Sequence, residues 1–344
     1  MMHELLKLKE SYILAQAMGL KSIMATVVAI EGSSYRRPGV RMLLFENNTM
    51  EGAVSGGCVE NEILKQSQSV FLDNKAKIMV YDGRYRLGCE GILYILLEPF
   101  SPDAAVWDAL ETVVQQRNPL EIQSFYTKTE GVQLGLGSEF HFEDKNFVFS
   151  NTQLEKSLST FTQILKPRFH LIIVGSEHDA VQLCHFASLT GWEITIVASA
   201  KDQKKIANFP GATRLVHLLP EEIASLSIDN ETAVVLMTHS YTTDLKFLIE
   251  LKNTQPAYLG LLGPVKRRNQ LLNEFFEYTQ SFNEGLLDVA FGPSGISIGA
   301  ETPQEIAISI IAEILSVIRK EEPMSLKYKN SAIHSHKVKL MSDE

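Results

Sequence analysis

From His170 onward the sequence alternates regularly between short apolar runs and longer helical stretches. The apolar runs are Leu171–Val174, Ile194–Val197, Leu215–Leu218, Ala233–Met237 and Tyr258–Leu262. Regular strand–helix alternation implies a parallel sheet with helices on both faces, because parallel neighbours need a crossover connection. The series closes on the strongest helix signal in the chain. Thr302 is placed to cap, Pro303 takes the first helical position, and Glu305 completes a capping box. The helix that follows, with its apolar stretch Ile306–Ile318, is short for a membrane span and contains Glu313, so it reads as buried.

The first half has a different texture. Residues 3–18 read as an amphipathic helix rather than a signal peptide. Strands are predicted at 23–30, 40–45, 50–54, 77–81 and 92–97, with helices from 58 towards 72 and near 103–116, and weaker strands up to Ser150. Residues 151–168 are polar and without period, so the domain link is expected there, ending at Lys166-Pro167. At 344 residues the chain exceeds what one core usually serves. The expected division is a mixed α/β domain at 1–165, a parallel-sheet domain at 166–322 and a disordered tail at 323–344.

Composition enters as exclusion. A net charge of −9 argues against nucleic acid as the main partner, since phosphate backbones require clustered basic surface. Cys58, Cys89 and Cys184 leave an odd thiol and no C-x-x-C pair, so neither a disulfide framework nor zinc-ligand spacing is present. His178 and His185 share a helix but no third ligand is visible, and no metal site is assigned. Reduced thiols and the absence of a leader or apolar span give a cytoplasmic expectation.

Four segments carry candidate chemistry. Leu171-Ile172-Ile173-Val174-Gly175-Ser176-Glu177-His178 stands where a dinucleotide fingerprint belongs, which makes the second domain Rossmann-like. Only Gly175 of the fingerprint glycines remains. Glu177 occupies the second glycine position, and 196–200 lacks the acid that would hold a ribose. A carboxylate there is expected to repel a pyrophosphate from the helix start, so NAD(P) binding is expected to be weak or missing. The loop 260–268, with Gly263, Lys266, Arg267 and Arg268, opens a helix. It reads either as an anion site or as a solvated basic turn. His239 ends the fourth strand at the carboxyl edge, where ligands of open sheets bind.

In the first half, Gly32-Ser33-Ser34-Tyr35-Arg36-Arg37-Pro38-Gly39 combines hydroxyls with two guanidiniums, whose fork matches phosphate and carboxylate. Ser55-Gly56-Gly57-Cys58-Val59-Glu60 sets a thiol at a helix start, where the dipole lowers thiol pKa values, behind glycines that let amides approach a ligand. Cys89 sits in a second glycine-rich turn, and the two thiols are expected to share one cleft. Cys184, mid-helix, reads as an inert buried thiol.

Taken in order, these segments resemble the xanthine dehydrogenase accessory-protein family of XdhC/CoxI type. The resemblance rests on 32–39, 55–60 and Gly88-Cys89-Glu90-Gly91 in the first half. In the second half it rests on Met237-Thr238-His239, 258–263 and 298–307. It implies a non-catalytic maturation factor. Such proteins bind molybdenum cofactor, keep it while its sulfido ligand is installed, and deliver it to an apo molybdenum hydroxylase. A cysteine desulfurase and a second copy of the chain are further implied partners. Carried over, the cofactor contacts are Ser33, Ser34, Arg36, Arg37, Gly56, Gly57, Cys58 and Cys89, with Gly175, His239, Gly263, Lys266 and Arg267 in the second half. The chain departs from the family pattern at Glu90 and Glu177, where the family has glycine. The alternative reading is an NAD(P)-dependent oxidoreductase built on the Rossmann domain.

Overall fold

The first helix, α1 (Met2–Ala17), buries Met2, Leu5, Leu8 and Tyr12, a helical stripe of one face. The structure, a computed structural model, describes residues 2–32, 37–55, 57–85, 91–143 and 145–329, with the side chains of Cys58 and Tyr85 left out. The chain divides into two compact units, Met1–Arg168 and Phe169–Glu344.

In the first unit, β1 (Ser22–Glu31), β2 (Arg41–Phe45) and β3 (Met50–Gly52) precede α2 (Cys58–Asp73), β4 (Lys77–Asp82) and β5 (Ile92–Pro99). After α3 (Ala104–Gln115) come β6 (Leu120–Tyr126), β7 (Gly131–Val132), β8 (Gly137–Phe142), β9 (Lys145–Val148) and β10 (Ser159–Leu165). One antiparallel sheet has the order β3-β2-β1-β5-β4-β7, and a second has the order β10-β6-β8-β9. Helix α2 covers one face of the larger sheet through Val59, Ile63, Val70 and Phe71. On its other face Leu43 and Phe45 join a core with α1, α3 and the smaller sheet.

Strand β10 corrects the expected link. It pairs with β6 along its whole length, from Ser159↔Tyr126 to Leu165↔Leu120. Phe161, Gln163 and Leu165 turn inward while Thr160, Thr162 and Ile164 face solvent. This is period-two burial written in Thr and Gln, because an edge strand needs only one apolar face. Residues 159–165 therefore belong to the first unit's smaller sheet, and that unit runs to Arg168.

The second unit contains β11 (His170–Val174), α4 (His178–Ser188), β12 (Glu193–Ala198), β13 (Arg214–His217), β14 (Thr232–Leu236) and α5 (Tyr241–Glu250). These are followed by β15 (Tyr258–Leu261), α6 (Val265–Tyr278), a short α7 (Gly285–Asp288), β16 (Ala290–Phe291) and α8 (Pro303–Arg319). All six strands are parallel, in the order β13-β12-β11-β14-β15-β16. Helices α4 and α8 pack on one face and α5 and α6 on the other, which is the doubly wound arrangement of a Rossmann-type domain. The two-residue strand β16 has no signal in the sequence.

Helix α8 starts as its sequence requires. The Thr302 hydroxyl accepts from the Glu305 amide at 3.3 Å, and the Glu305 carboxylate accepts from the Thr302 amide at 3.0 Å. Glu313, the acid inside the apolar stretch, accepts from the Tyr258 hydroxyl at 2.6 Å and the Gly295 amide at 2.8 Å. Among the described residues no helix is long and apolar enough to cross a membrane. Within the segment expected as a tail, Leu326–Tyr328 form one 3-10 turn, and residues 330–344 lie outside the described residues.

Candidate functional site

The strand registers of the first unit bring three glycine-rich segments to one place. Thr26 pairs with Arg41, Met42 with Gly52, and Ile92 with both Glu31 and Asp82. The ends of β1, β3 and β4 and the starts of β2 and β5 therefore lie at the same end of the sheet. The segments 32–40, 53–57 and 83–91 all leave the sheet there. The third is closed at its base by the Gly83 amide, which donates to the Gly91 carbonyl at 3.0 Å.

Ser33, Ser34, Arg36, Gly56 and Cys89 lie outside the described residues, as does the expected cleft shared by Cys58 and Cys89. What anchors their segments is described. Gly57 adopts φ 124°, caps α2, and among the described residues has nothing within 4 Å of where a Cβ would stand. Cys58 is the first residue of this 16-residue helix, at the positive end of its dipole. Arg37 is exposed.

Glu60, which sequence reasoning did not single out, anchors this turn. Its carboxylate folds back over the helix start and accepts from the Gly57 amide at 2.7 Å, the Ser55 hydroxyl at 3.1 Å, and the Ser55 amide. Burial alone would push its pKa up. The hydrogen bonds from the Ser55, Glu60 and Gly57 amides and the Ser55 hydroxyl outweigh this and hold it below the ordinary value. The available signal was the three-residue spacing from Gly57, half of a capping box without its hydroxyl.

The far root of 32–39 is fixed by residues of β2 and β10. Gly39 has φ 94°, a backbone conformation that favours glycine, and a Cβ there would crowd the end of the Gln163 side chain. One Arg41 nitrogen donates to the Gly39 carbonyl at 3.1 Å and also to the Gln163 side-chain oxygen. Burial pulls the Arg41 pKa down to about 10, against the opposing pull of Glu98. The Glu98 carboxyl, pushed by burial up to about 7, accepts from the Ser138 amide at 2.7 Å and hydroxyl at 2.6 Å.

In the second unit, a crevice of about 740 Å³ opens at the carboxyl edge of the sheet, lined from the turns after β11, β12, β13 and β14. Gly175 begins the turn after β11 at φ 144°. A Cβ there would meet the Met237 carbonyl oxygen at 2.5 Å, so this glycine is demanded by the packing of two strand ends. The expected gap in acids after β12 is corrected here. Asp202, four residues beyond the strand end, accepts from the Ser176 hydroxyl across the turn. That bond, and next the Lys204 amide, hold its pKa below the ordinary value. Glu177 is also not a bare charge. Lys204 lies 3.3 Å from its carboxylate and donates to the Ser176 carbonyl at 2.7 Å. The turn is thus occupied by the protein's own side chains rather than guarded by an unpaired carboxylate.

The other candidates separate into two groups. His239, in the left-handed region at φ 60°, places Nε2 3.3 Å from the Asp179 carboxylate. Arg267 donates to buried Asp244 at 2.6 Å, and Asp244 also accepts from the Thr238 amide at 3.1 Å and hydroxyl at 2.7 Å. Gly263 (φ 116°) makes room for this, since its Cβ would sit 2.6 Å from Arg267 Cδ. Arg267 therefore ties the β14 turn to α6, while Lys266 stands exposed beside it. Cys184 is buried, with its thiol pushed up to about 12 by burial. Among the described residues no group of three or more His, Cys, Asp or Glu could hold a metal ion.

The chain thus carries a unit whose glycine-rich segments leave one end of a sheet, followed by a parallel, doubly wound domain with a crevice at its switch point. Comparison with known proteins gives the family. The family described as the XdhC Rossmann domain matches residues 171–314, and the XdhC and CoxI family matches 15–82. The chain belongs to the XdhC/CoxI family. It is 27% identical over 319 residues to a probable xanthine dehydrogenase subunit of Bacillus subtilis, covering 87% of this chain and 94% of that one. It is 26% identical over 319 residues to the molybdenum cofactor insertion chaperone PaoD of Escherichia coli, covering 90% of this chain and 87% of PaoD. A crystal structure of a xanthine dehydrogenase from Bacillus halodurans superposes with a TM-score of 0.74 at 27% identity, over 91% of this chain and 96% of that one.

Proposed function

We propose that this protein binds molybdenum cofactor and delivers it to an apo molybdenum hydroxylase of the xanthine dehydrogenase type. The observation that carries the reading is the departure of three glycine-rich segments from one end of the larger sheet of the first unit. Among the described residues, none comes within 4 Å of where a Cβ on Gly57 would stand, at the start of α2. Support also comes from the name of PaoD, an insertion chaperone, and from the xanthine dehydrogenase names of two other relatives.

In this reading Arg36 and Arg37, with Ser33 and Ser34, meet the phosphate of the pterin, and Gly56 and Gly57 bring backbone amides close. Cys58 and Cys89 attend the metal end, and Glu60 positions the Ser55–Gly57 turn. Bound cofactor would supply the metal centre on which the client's chemistry depends. In the second half, Gly175, His239, Gly263, Lys266 and Arg267 are proposed contacts, with Arg267 acting through Asp244. The partners proposed are the apo-enzyme, a cysteine desulfurase and a second copy of the chain, in the cytoplasm. The test is a hand-off assay. Chain loaded with cofactor is expected to restore activity to an apo-hydroxylase faster than free cofactor does, and restoration no faster than free cofactor would contradict the reading.

The oxidoreductase alternative is favoured only by the crevice at the switch point. We infer that NAD and NADP bind there weakly or not at all. Ser176 is held by Asp202, and Lys204 covers the turn a pyrophosphate must enter. Calorimetric titration is expected to give a dissociation constant of about 1 mM or weaker for both. A micromolar constant would revive the oxidoreductase reading.

A further inference from the structure

The crevice of the second unit has a mixed lining. Leu218, Leu219 and Pro220, after β13, give it an apolar wall that is partly or largely exposed. Lys201, Lys204 and Lys246 also line it, with two acids, Glu177 and Asp202. Lys204 is engaged with the turn at 176–177. No described side chain pairs with the ammonium of Lys201 or Lys246, both of which are exposed. The volume, about 740 Å³, lies in the range of small-molecule sites.

We propose that this crevice is a mononucleotide site, with the base on the apolar wall and the phosphate met by Lys201 and Lys246 instead of the turn at 175–178. Each half of the assignment has its own reason. A bare anion would leave the apolar wall facing water, and an apolar ligand would desolvate two unpaired ammonium groups. A dinucleotide would have to drive its second phosphate into a turn already filled by Ser176, Asp202 and Lys204. A single phosphate avoids that turn. The surplus of one positive charge among the lining residues suits it. All of these residues belong to the second unit, and neither Lys201 nor Lys246 is among the cofactor contacts proposed above, of which only Gly175 lines this crevice.

The test is calorimetric titration of the full chain with AMP, GMP, CMP and UMP, and with inorganic phosphate and NAD. At least one mononucleotide is expected to saturate below about 1 mM. The double variant Lys201→Gln/Lys246→Gln, at exposed positions, is expected to weaken it about tenfold or more. Leu219→Ser, at a lining residue that is 56% exposed, should weaken the nucleotide and leave phosphate binding unchanged. NAD should bind at least tenfold more weakly than the tightest mononucleotide. The proposal is overturned if no mononucleotide saturates by about 5 mM. It is also overturned if the double lysine variant, shown folded by circular dichroism, binds as the wild type does, or if phosphate binds as tightly as the nucleotides.

Discussion

Asp244→Ala is expected to lower the stability of the second unit by about 3 kcal/mol, towards the lower end of what removing one partner of a buried ion pair costs. Its side chain is 1% exposed, and it satisfies the Thr238 amide, the Thr238 hydroxyl and the Arg267 guanidinium together. Truncation leaves all three donors without their acceptor, and the guanidinium keeps its charge. Because the Arg267 side chain is 22% exposed, water recovers part of the loss, which sets the lower end. Asp244→Asn retains an acceptor for Thr238 and is expected to fall between wild type and alanine. The measurement is urea unfolding read by tryptophan fluorescence. The chain has two tryptophans, Trp107 in the first unit and Trp192 in the second, so a Trp107→Phe background reports the second unit alone. A loss below about 1 kcal/mol would show that the pair does not hold the β14 turn to α6.

Where the sequence could be read, one local rule sufficed. Helix α8 needs only Thr302, Pro303 and Glu305 to declare its start, and all three act within four residues of one another. The parallel sheet was legible because crossover topology repeats the same short pattern five times. The failures share a different cause. Strand β10 is held by pairing with β6, more than thirty residues away, so its Thr and Gln residues gave no local apolar signal. Asp202 reaches back to Ser176 over 26 residues, and its loop has no fixed spacing from the strand that precedes it. Arg267 read as a free cation because Asp244 lies on another helix. Charge was visible in the sequence and its pairing was not, and pairing decided both the Glu177 and Arg267 interpretations. Gly57, Gly175 and Gly263 all adopt positive φ values that other residues reach only with strain, a backbone demand that a glycine in a sequence can signal.

Whether the glycine-rich end of the larger sheet in the first unit holds molybdenum cofactor can be measured directly. Purified chain is brought to equilibrium dialysis against the cofactor, with bound pterin quantified by fluorescence after oxidation and bound metal by mass spectrometry. Saturable retention is expected for the wild type. At least a tenfold loss, about 1.4 kcal/mol or more, is expected for Cys58→Ala and for Arg36→Ala, each with an unchanged unfolding curve. Lys201→Gln/Lys246→Gln, in the second unit, should retain cofactor as the wild type does. Wild-type chain that retains no cofactor, or Cys58→Ala and Arg36→Ala variants that both retain it undiminished, would contradict the assignment of this sheet end as the cofactor site.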